Sequence, residues 1–228
     1  MSTTTETGVG EPTPGPTGEK IVAPYGSWVS PFKIERLTDR VVFLAEPDGV
    51  DGVRWWIEGR PDEGGRQVLV RRELDGTLTR MTPEGFNCRS RVHEYGGTAA
   101  FVEGDLIIVS DFVTGRLNRV TSPGYVVALT PERQWRYADV IHDAAHNRLI
   151  AVREDHEPDF VAVHGEWGND LVTIDLDSGD VQVLVEGADF YAAPRLSPDG
   201  STLVWLQWHH PNLPWDGTEL QRAAVNAD

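Results

Sequence analysis

The feature that most constrains this chain is a repeat of short apolar segments separated by similar distances. Four segments resemble one another: VRWWIE, LIIVSD, LIAVRE and LVWLQW, which begin at Val53, Leu106, Leu149 and Leu203. Their starts are about fifty residues apart, a period typical of a repeated supersecondary unit. A turn rich in Asp, Gly or Asn precedes each segment, and these residues supply the backbone conformations that tight hairpins need.

Each segment is followed by a further pair of strand-like runs. Residues 66–74 and 77–81 are joined by Asp75-Gly76, and residues 171–176 and 180–186 are joined by Asp177-Ser178-Gly179. Each unit therefore holds about four strands, as a propeller blade does. No long segment has a persuasive helical period. We predict an all-β fold, a partial β-propeller of about four blades, each a four-stranded antiparallel sheet. A β-sandwich is the alternative, and the repeated order of elements favours blades.

The two ends of the chain are interpreted separately. Residues 1–20 are rich in Thr, Gly, Pro and Glu, which bury too little surface to order a chain, so we predict a disordered tail. They lack the basic start and apolar run of a secretory signal. Residues 21–228 are predicted to form an incomplete β-propeller domain, because propellers usually close into a ring and the array stops within its fourth unit. We therefore expect a fragment or a truncated gene product.

Charge and cysteine content exclude several classes of partner. The formal net charge is −16, which disfavours nucleic acid and anionic membrane surfaces because both carry negative charge. No apolar run approaches the roughly 18 residues that a membrane-spanning helix needs. Cys88 is the only cysteine, so an internal disulfide is impossible and a cytoplasmic location is expected.

The histidines do not predict a metal site. His209 and His210 are adjacent, and neighbouring residues of an extended chain point in opposite directions. His142 and His146 have the spacing of a helical metal pair but flank a predicted turn. The acidic turn around Asp177 lacks the spacing of a calcium loop. We therefore expect no metal and no cofactor.

Several ordered segments resemble the propeller half of bacterial peptidases of the prolyl oligopeptidase family, in its dipeptidyl-peptidase and acylaminoacyl-peptidase branch. They are APYGSWVSP (23–31), EGRPDEGGR (58–66), RVHEYGG (91–97), RYAD (136–139), VREDH (152–156), PRLSPDG (194–200) and HPNLPWDGTEL (210–220). The Ser-Pro-Asp-Gly turn alone is common to many propellers, whereas the ordered set is fairly specific. It extends from about residue 21 to the end of the chain.

The resemblance implies a two-domain serine peptidase that cleaves oligopeptides. In such enzymes a propeller caps an α/β-hydrolase domain, whose nucleophilic serine stands in a Gly-x-Ser-x-Gly motif and is followed by an aspartate and a histidine. None of the serines in this sequence lies in that motif. We therefore expect the α/β-hydrolase domain to be absent from the chain and assign no catalytic residue. The expected partners are an oligopeptide substrate and the hydrolase domain.

Two sets of loops are expected to share one face of the propeller and to hold the binding residues. One set precedes the first strand of each blade, and the other joins the second strand to the third. The candidates for the substrate chamber or the interdomain contact are Arg91, His93, Glu94, Tyr95, Asp155, His156, Trp215 and Asp216. Glu94 or Asp155 would attract a peptide amine, and Arg91 would pair with a carboxylate. Alternatively, Glu94 belongs to a structural turn.

The tryptophans divide into two groups. Those predicted on strands are expected to pack between blades: Trp28, Trp55, Trp56, Trp205 and Trp208. Trp167 and Trp215 lie in predicted loops and are better candidates for contacts with a ligand or a domain.

The resemblance leads to one functional prediction with two alternatives. We expect a non-catalytic propeller region that filters the substrates of a serine peptidase. One alternative is a stand-alone propeller scaffold that binds a protein partner without enzymatic activity. Another, a metal-dependent hydrolase in the propeller channel, needs converging ligands from several blades, and no convincing set is present.

Overall fold

The computed structural model describes residues 24–27 and 41–226. The chain divides into two compact units, Met1–Asp39 and Arg40–Asp228. In the first unit, residues 24–27 form a turn in which the Ser27 amide donates to the Pro24 carbonyl at 3.1 Å. The predicted tail, residues 1–20, lies outside the described residues.

Fifteen strands of the second unit form four antiparallel sheets in chain order, each a simple meander. The first sheet contains β1 (Phe43–Val50), β2 (Val53–Arg60), β3 (Arg66–Arg72) and β4 (Leu78–Arg80). The second contains β5 (Ala100–Glu103), β6 (Leu106–Ser110), β7 (Leu117–Ser122) and β8 (Tyr125–Ala128). The third contains β9 (Trp135–Asp143), β10 (Arg148–Asp155), β11 (Gly168–Asp175) and β12 (Val181–Val185). The fourth contains β13 (Phe190–Leu196), β14 (Thr202–Trp208) and β15 (Glu219–Ala224).

These sheets confirm the predicted all-β propeller of about four blades. The four repeated apolar segments form β2, β6, β10 and β14, the second strand of each sheet. Three sheets have the predicted four strands, and the fourth has three strands within the described range.

The second strands of the two inner sheets, β6 and β10, are apolar because both of their faces are buried between neighbouring sheets. On β10, Leu149 and Ala151 pack with residues of the second sheet, while Ile150 and Val152 pack with residues of the fourth. Side chains alternate between the two faces of a strand. A strand at the centre of a blade therefore needs a continuous apolar run, which is the pattern that the sequence repeats.

Three apolar clusters hold consecutive sheets together. The first joins sheets one and two through Ile57, Leu69 and Val109. The others join sheets two and three, and three and four. Trp55 and Trp205 lie in these clusters, as predicted for packing between blades. Trp208 is buried against His93 and Phe190, Trp56 is half-buried, and Trp28 lies outside the described residues.

First strands carry acidic residues that bond to neighbouring blades. Glu46, in a bulge of β1, accepts hydrogen bonds from the amides of Ala99 and Ala100, and burial raises its pKa. Asp139 of β9 accepts bonds from Thr98 N at 2.8 Å and from Ala193 N at 2.9 Å. Each carboxylate satisfies backbone donors that the sheet's own ladder leaves unpaired.

Two short helices were not predicted from the sequence. Helix α1 (Pro158–His164) lies between β10 and β11, and α2 (Pro214–Gly217) lies between β14 and β15. Both begin with a proline, which suits the first helical position. Within the part of the chain that the structure describes, no helix is long and apolar enough to cross a membrane.

Candidate substrate-facing loop surface

The two predicted sets of loops meet in the structure. Arg89 and Arg91, which precede β5, both lie 5.1 Å from the ring of Phe112 in the loop after β6. Gln134, before β9, donates its amide to the Glu157 carboxylate at 2.8 Å. Before β13, Asp189 accepts the amide of His210 at 2.8 Å. We call the region formed by these loops the loop surface.

A buried carboxylate, Glu154, organises the centre of the loop surface. Its side chain is 1% exposed and accepts the backbone amide of His93 at 2.5 Å. Its other oxygen lies 2.9 Å from Nε2 of His156 and 3.4 Å from Nη1 of Arg136. Because a buried carboxylate must be paired, these three groups fix the loop of residues 91–97 against the third blade.

Glu94 has an ion-pair partner, so its carboxylate is not the fully free group that the sequence analysis expected. Its Oε1 lies 2.7 Å from Nη1 of Arg136, and this hydrogen bond lowers the pKa of Glu94. The Glu94 side chain is nevertheless 69% exposed. Glu94 and His93 both have left-handed backbones, with φ of 63° and 56°, a conformation that costs energy in residues other than glycine. Glu94 is thus part of a structural turn, and its side chain also presents an exposed charge.

Arg91 and Asp155 are engaged within the protein. Arg91 stacks on Phe112, and its carbonyl accepts Nη1 of Arg136 at 3.4 Å. Asp155 is buried and accepts the amide of Glu157 at 2.9 Å. It also lies 3.9 Å from the Arg153 guanidinium. These contacts give Asp155 a role in closing the loop that leads into α1.

The ring of His93 packs against aromatic rings. Its ring centroid is 5.4 Å from that of Tyr95, 5.2 Å from Trp208 and 5.6 Å from Phe190. Burial lowers the pKa of His93, which favours the neutral ring. Within the described residues, Nε2 of His93 has no well-aligned hydrogen-bond partner. The side chain of Asn169 nevertheless lies close enough to this ring to raise the pKa of His93, against the larger effect of burial.

Two cavities open on the loop surface. One has a volume of about 250 Å³ and is lined by His93, Tyr95, Trp208 and Pro214, among others. The other has a volume of about 500 Å³ and lies beside α1. Trp215 is 78% exposed, and Asp216 accepts the Leu213 amide at 3.2 Å within α2. Of the predicted residues, His93 and Tyr95 line the smaller cavity, whereas Trp215 and Asp216 line neither one.

Residues that the sequence analysis did not select hold the surface together. Arg136 and Glu154 connect His93, Glu94 and His156. The only sequence signal for Glu154 is a run of charged residues, Arg153 to Asp155, at the end of a strand whose centre is apolar. Such a residue needs a buried partner, but the sequence does not show which one.

The described residues present no assembled catalytic or metal centre. Throughout residues 24–27 and 41–226, no group of three His, Cys, Asp or Glu side chains is arranged to hold a metal ion. Across the same ranges, no serine hydroxyl is hydrogen-bonded to a histidine ring.

The chain is similar in sequence and structure to part of several solved peptidases. No family model and no curated protein matches it. A puromycin-hydrolysing peptidase of Mycobacterium tuberculosis is 32% identical, with a TM-score of 0.76 over 91% of this chain and 33% of that one. A puromycin hydrolase is also 32% identical, with a TM-score of 0.74 over 90% of this chain and 33% of that one. A mutant of the latter has been crystallised in complex with PGG.

A more distant structure agrees in fold. The acylaminoacyl peptidase of Pyrococcus horikoshii is 11% identical, with a TM-score of 0.54 over 82% of this chain and 32% of that one. The chain spans about a third of the length of the peptidases it matches. The repeat, the sheets and the identity to puromycin-hydrolysing peptidases agree, and the chain is homologous to the β-propeller region of peptidases of the prolyl oligopeptidase family.

Proposed function

We propose that this chain is the substrate-filtering propeller region of a serine peptidase that cleaves oligopeptides. In this proposal it acts with an α/β-hydrolase domain that supplies the serine, the aspartate and the histidine, and it contributes no catalytic group itself. The observation that carries the proposal is the 32% identity to a puromycin-hydrolysing peptidase over 91% of this chain. Identity at this level over so much of the chain supports a shared role more strongly than likeness of fold alone.

The loop surface is the part of the chain that would face the hydrolase domain and the substrate. It combines exposed groups, such as Glu94, with a rigid base that is fixed by the buried Glu154. Rigid scaffolds that present loops are typical of binding surfaces. Oε1 of Glu94 pairs with Arg136, and Oε2 accepts no hydrogen bond from the described residues. That second oxygen is available to a peptide amine or to the facing domain.

The setting of this function is proposed to be the cytoplasm. Cys88 is buried with a free thiol, and burial raises its pKa. A protonated, inaccessible thiol is compatible with a reducing compartment. The net charge of −16 disfavours nucleic acid and anionic membranes as ligands.

A segment exchange tests the proposed function. The matching third of the puromycin-hydrolysing peptidase would be replaced by this chain, and hydrolysis of a short peptide would be compared with hydrolysis of a folded protein. We expect the chimera to cleave the peptide and to spare the folded protein. The control is the same peptidase with the matching segment deleted, which we expect to lose this preference. A chimera that is folded and active but cleaves both substrates equally would contradict a filtering role.

Glu94→Gln in the same chimera tests the contribution of the exposed carboxylate. If Glu94 attracts a substrate amine, kcat/KM falls about threefold for peptides with a free amino terminus and stays constant for acetylated ones, as expected for one exposed charge pair. Glu84→Gln, another exposed carboxylate, is the matched control. Equal kcat/KM values for Glu94→Gln and the parent chimera on both substrates would assign Glu94 to the structural turn alone.

A further inference from the structure

A third cavity lies between the second and third blades. It shares no lining residue with the two cavities of the loop surface, and its volume is about 430 Å³. Its walls come from the segment that joins β8 to β9, from Arg116 just before β7, and from the turn between β11 and β12. Both blades therefore contribute to one enclosed space.

Close packing between the two blades fixes the shape of this cavity. Gly179, in the turn between β11 and β12, has a left-handed backbone, and a Cβ atom there would lie 2.0 Å from the carbonyl oxygen of Leu129. Thr130 is fully buried, and its hydroxyl accepts the amide of Leu117 at 3.0 Å. Because the turn and the segment after β8 cannot shift apart without losing these contacts, the cavity is preformed rather than assembled by a ligand.

Two arginines line the cavity without an acidic partner. Nε of Arg116 donates to the Thr130 carbonyl at 2.7 Å, which holds the side chain in place. The guanidinium of Arg133 lies 5.9 Å from the ring centroid of Trp135. Across residues 24–27 and 41–226, neither guanidinium forms an ion pair with a carboxylate, and that of Arg133 makes no hydrogen bond.

This pair of charges stands out against the composition of the chain. The sequence has 36 acidic and 20 basic residues, so most arginines have acids close by. Among the described residues that line the cavity, the single acid is Asp180, which is exposed and lies beyond ion-pair distance of both arginines. The lining thus has a net positive charge within an acidic protein, and its N–H donors favour a ligand that brings negatively charged acceptors.

We propose that this cavity binds a small organic oxyanion, a carboxylate or a phosphate, attached to an apolar body. The oxyanion would be held by Arg116 and Arg133, because the planar guanidinium group matches the geometry of both anions. The apolar body would lie against the side chains of Leu129, Pro131 and Val181, which also line the cavity. A volume of about 430 Å³ suits a ligand of this size.

Charge complementarity distinguishes this ligand from others. A cation would be repelled by the two arginines, and a neutral molecule would leave them without a charged partner. This inference goes beyond the filtering role and does not depend on it, because binding to the chain is measured without any hydrolysis. A failure of the segment exchange therefore leaves this proposal standing, and the reverse also holds.

A titration of the full chain, followed by the NMR shifts of its backbone amides, tests the proposal. The probes are phenylacetate, which carries the charge, and phenylacetamide, which has the same shape without it. We expect phenylacetate to bind in the millimolar range and to shift the amides of Thr130, Arg133 and Gly179 most. Phenylacetamide should bind at least tenfold more weakly, because it lacks the charge-assisted hydrogen bonds. Equal binding of the two probes, or binding of neither, would overturn the proposal.

Two variants with opposite expected effects locate the site. R133Q should bind phenylacetate about threefold more weakly, and D180N should bind it about threefold more tightly, since each removes one exposed charge near the ligand. R119Q is the matched control, because Arg119 of β7 is exposed and does not line the cavity. Circular dichroism verifies that the three variants are folded. Unchanged affinity in both R133Q and D180N, or an equal loss in R119Q and R133Q, would place the ligand elsewhere and contradict the proposal.

Benzylphosphonate distinguishes the two sources of the oxyanion. If it binds more tightly than phenylacetate, an organic phosphate is the better occupant. If phenylacetate binds more tightly, a carboxylate is the better occupant. Both results support the proposed class of ligand, whereas failure of both anions to bind contradicts it.

Discussion

The interfaces between the sheets and the loop surface are both well packed, but they are held by different forces. Between the sheets, Ile150, Leu171 and Leu203 are buried against one another without a polar partner. On the loop surface, the buried Glu154 is held by His93, Arg136 and His156. Apolar contacts between sheets are non-directional and tolerate change in detail, whereas a buried charge needs every partner in place. The first region gives the fold its stability, and the second gives the loops one defined arrangement.

The largest expected effect comes from a cavity between sheets. Ile150→Ala should destabilise the chain by about 2 to 5 kcal/mol, because it removes buried atoms and leaves a void. Ile150→Val, the matched control, should cost about 1 kcal/mol. Urea unfolding followed by circular dichroism measures both. Equal free energies of unfolding for the two variants would show that the interface between the sheets is loosely packed. The interface would then not differ from the loop surface in the way described above.

A smaller effect is expected from the buried charge of the loop surface. Glu154→Gln keeps the shape of the side chain but should cost about 1 to 3 kcal/mol, since Arg136 and His156 lose a buried partner. Glu94→Gln removes an exposed partner of the same Arg136 and should cost less than about 1 kcal/mol. The same unfolding experiment compares them. Equal losses of unfolding free energy in the two variants would show that the burial of Glu154 does not determine how strongly it binds Arg136 and His156.

The smallest effect is expected at a turn outside both regions, and it depends on pH. Asp199 accepts bonds from Ser197 Oγ and from Ser201 N and Oγ, which lower its pKa to about 2 from the ordinary 3.8. A lowered folded-state pKa adds stability above pH 3.8, and this stability is lost as the pH falls toward 2. Asp199→Ala should therefore be less stable than the parent at neutral pH, and the difference should shrink as the pH falls through this range. A difference that is constant with pH would exclude an ionic contribution.

The fold was more predictable than the site because the two depend on different kinds of information. The apolar runs at Leu106 and Leu149 reflect burial on both faces of a strand, which a sequence pattern records directly. The pairing of Glu94 with Arg136 joins residues 42 positions apart, and no local pattern encodes such a contact. Helix α1 was missed because seven residues are too few to show a helical period.

Part of the site was nevertheless predictable. The expectation that loops before the first strands meet loops after the second strands followed from topology alone, and the contact of Arg91 with Phe112 agrees with it. The roles assigned to single side chains depended on their partners, as Asp155 shows with its bond to the Glu157 amide. Loop positions were thus predictable, and side-chain pairing was not.

The most direct test of the proposal that this chain selects substrates and supplies no catalytic serine is labelling with a fluorophosphonate probe for activated serines. The purified full chain would be incubated with the probe, and the puromycin-hydrolysing peptidase would serve as the positive control. We predict that the peptidase is labelled stoichiometrically and that this chain is not labelled. Stoichiometric labelling of this chain would show a catalytic nucleophile within it and would contradict the account.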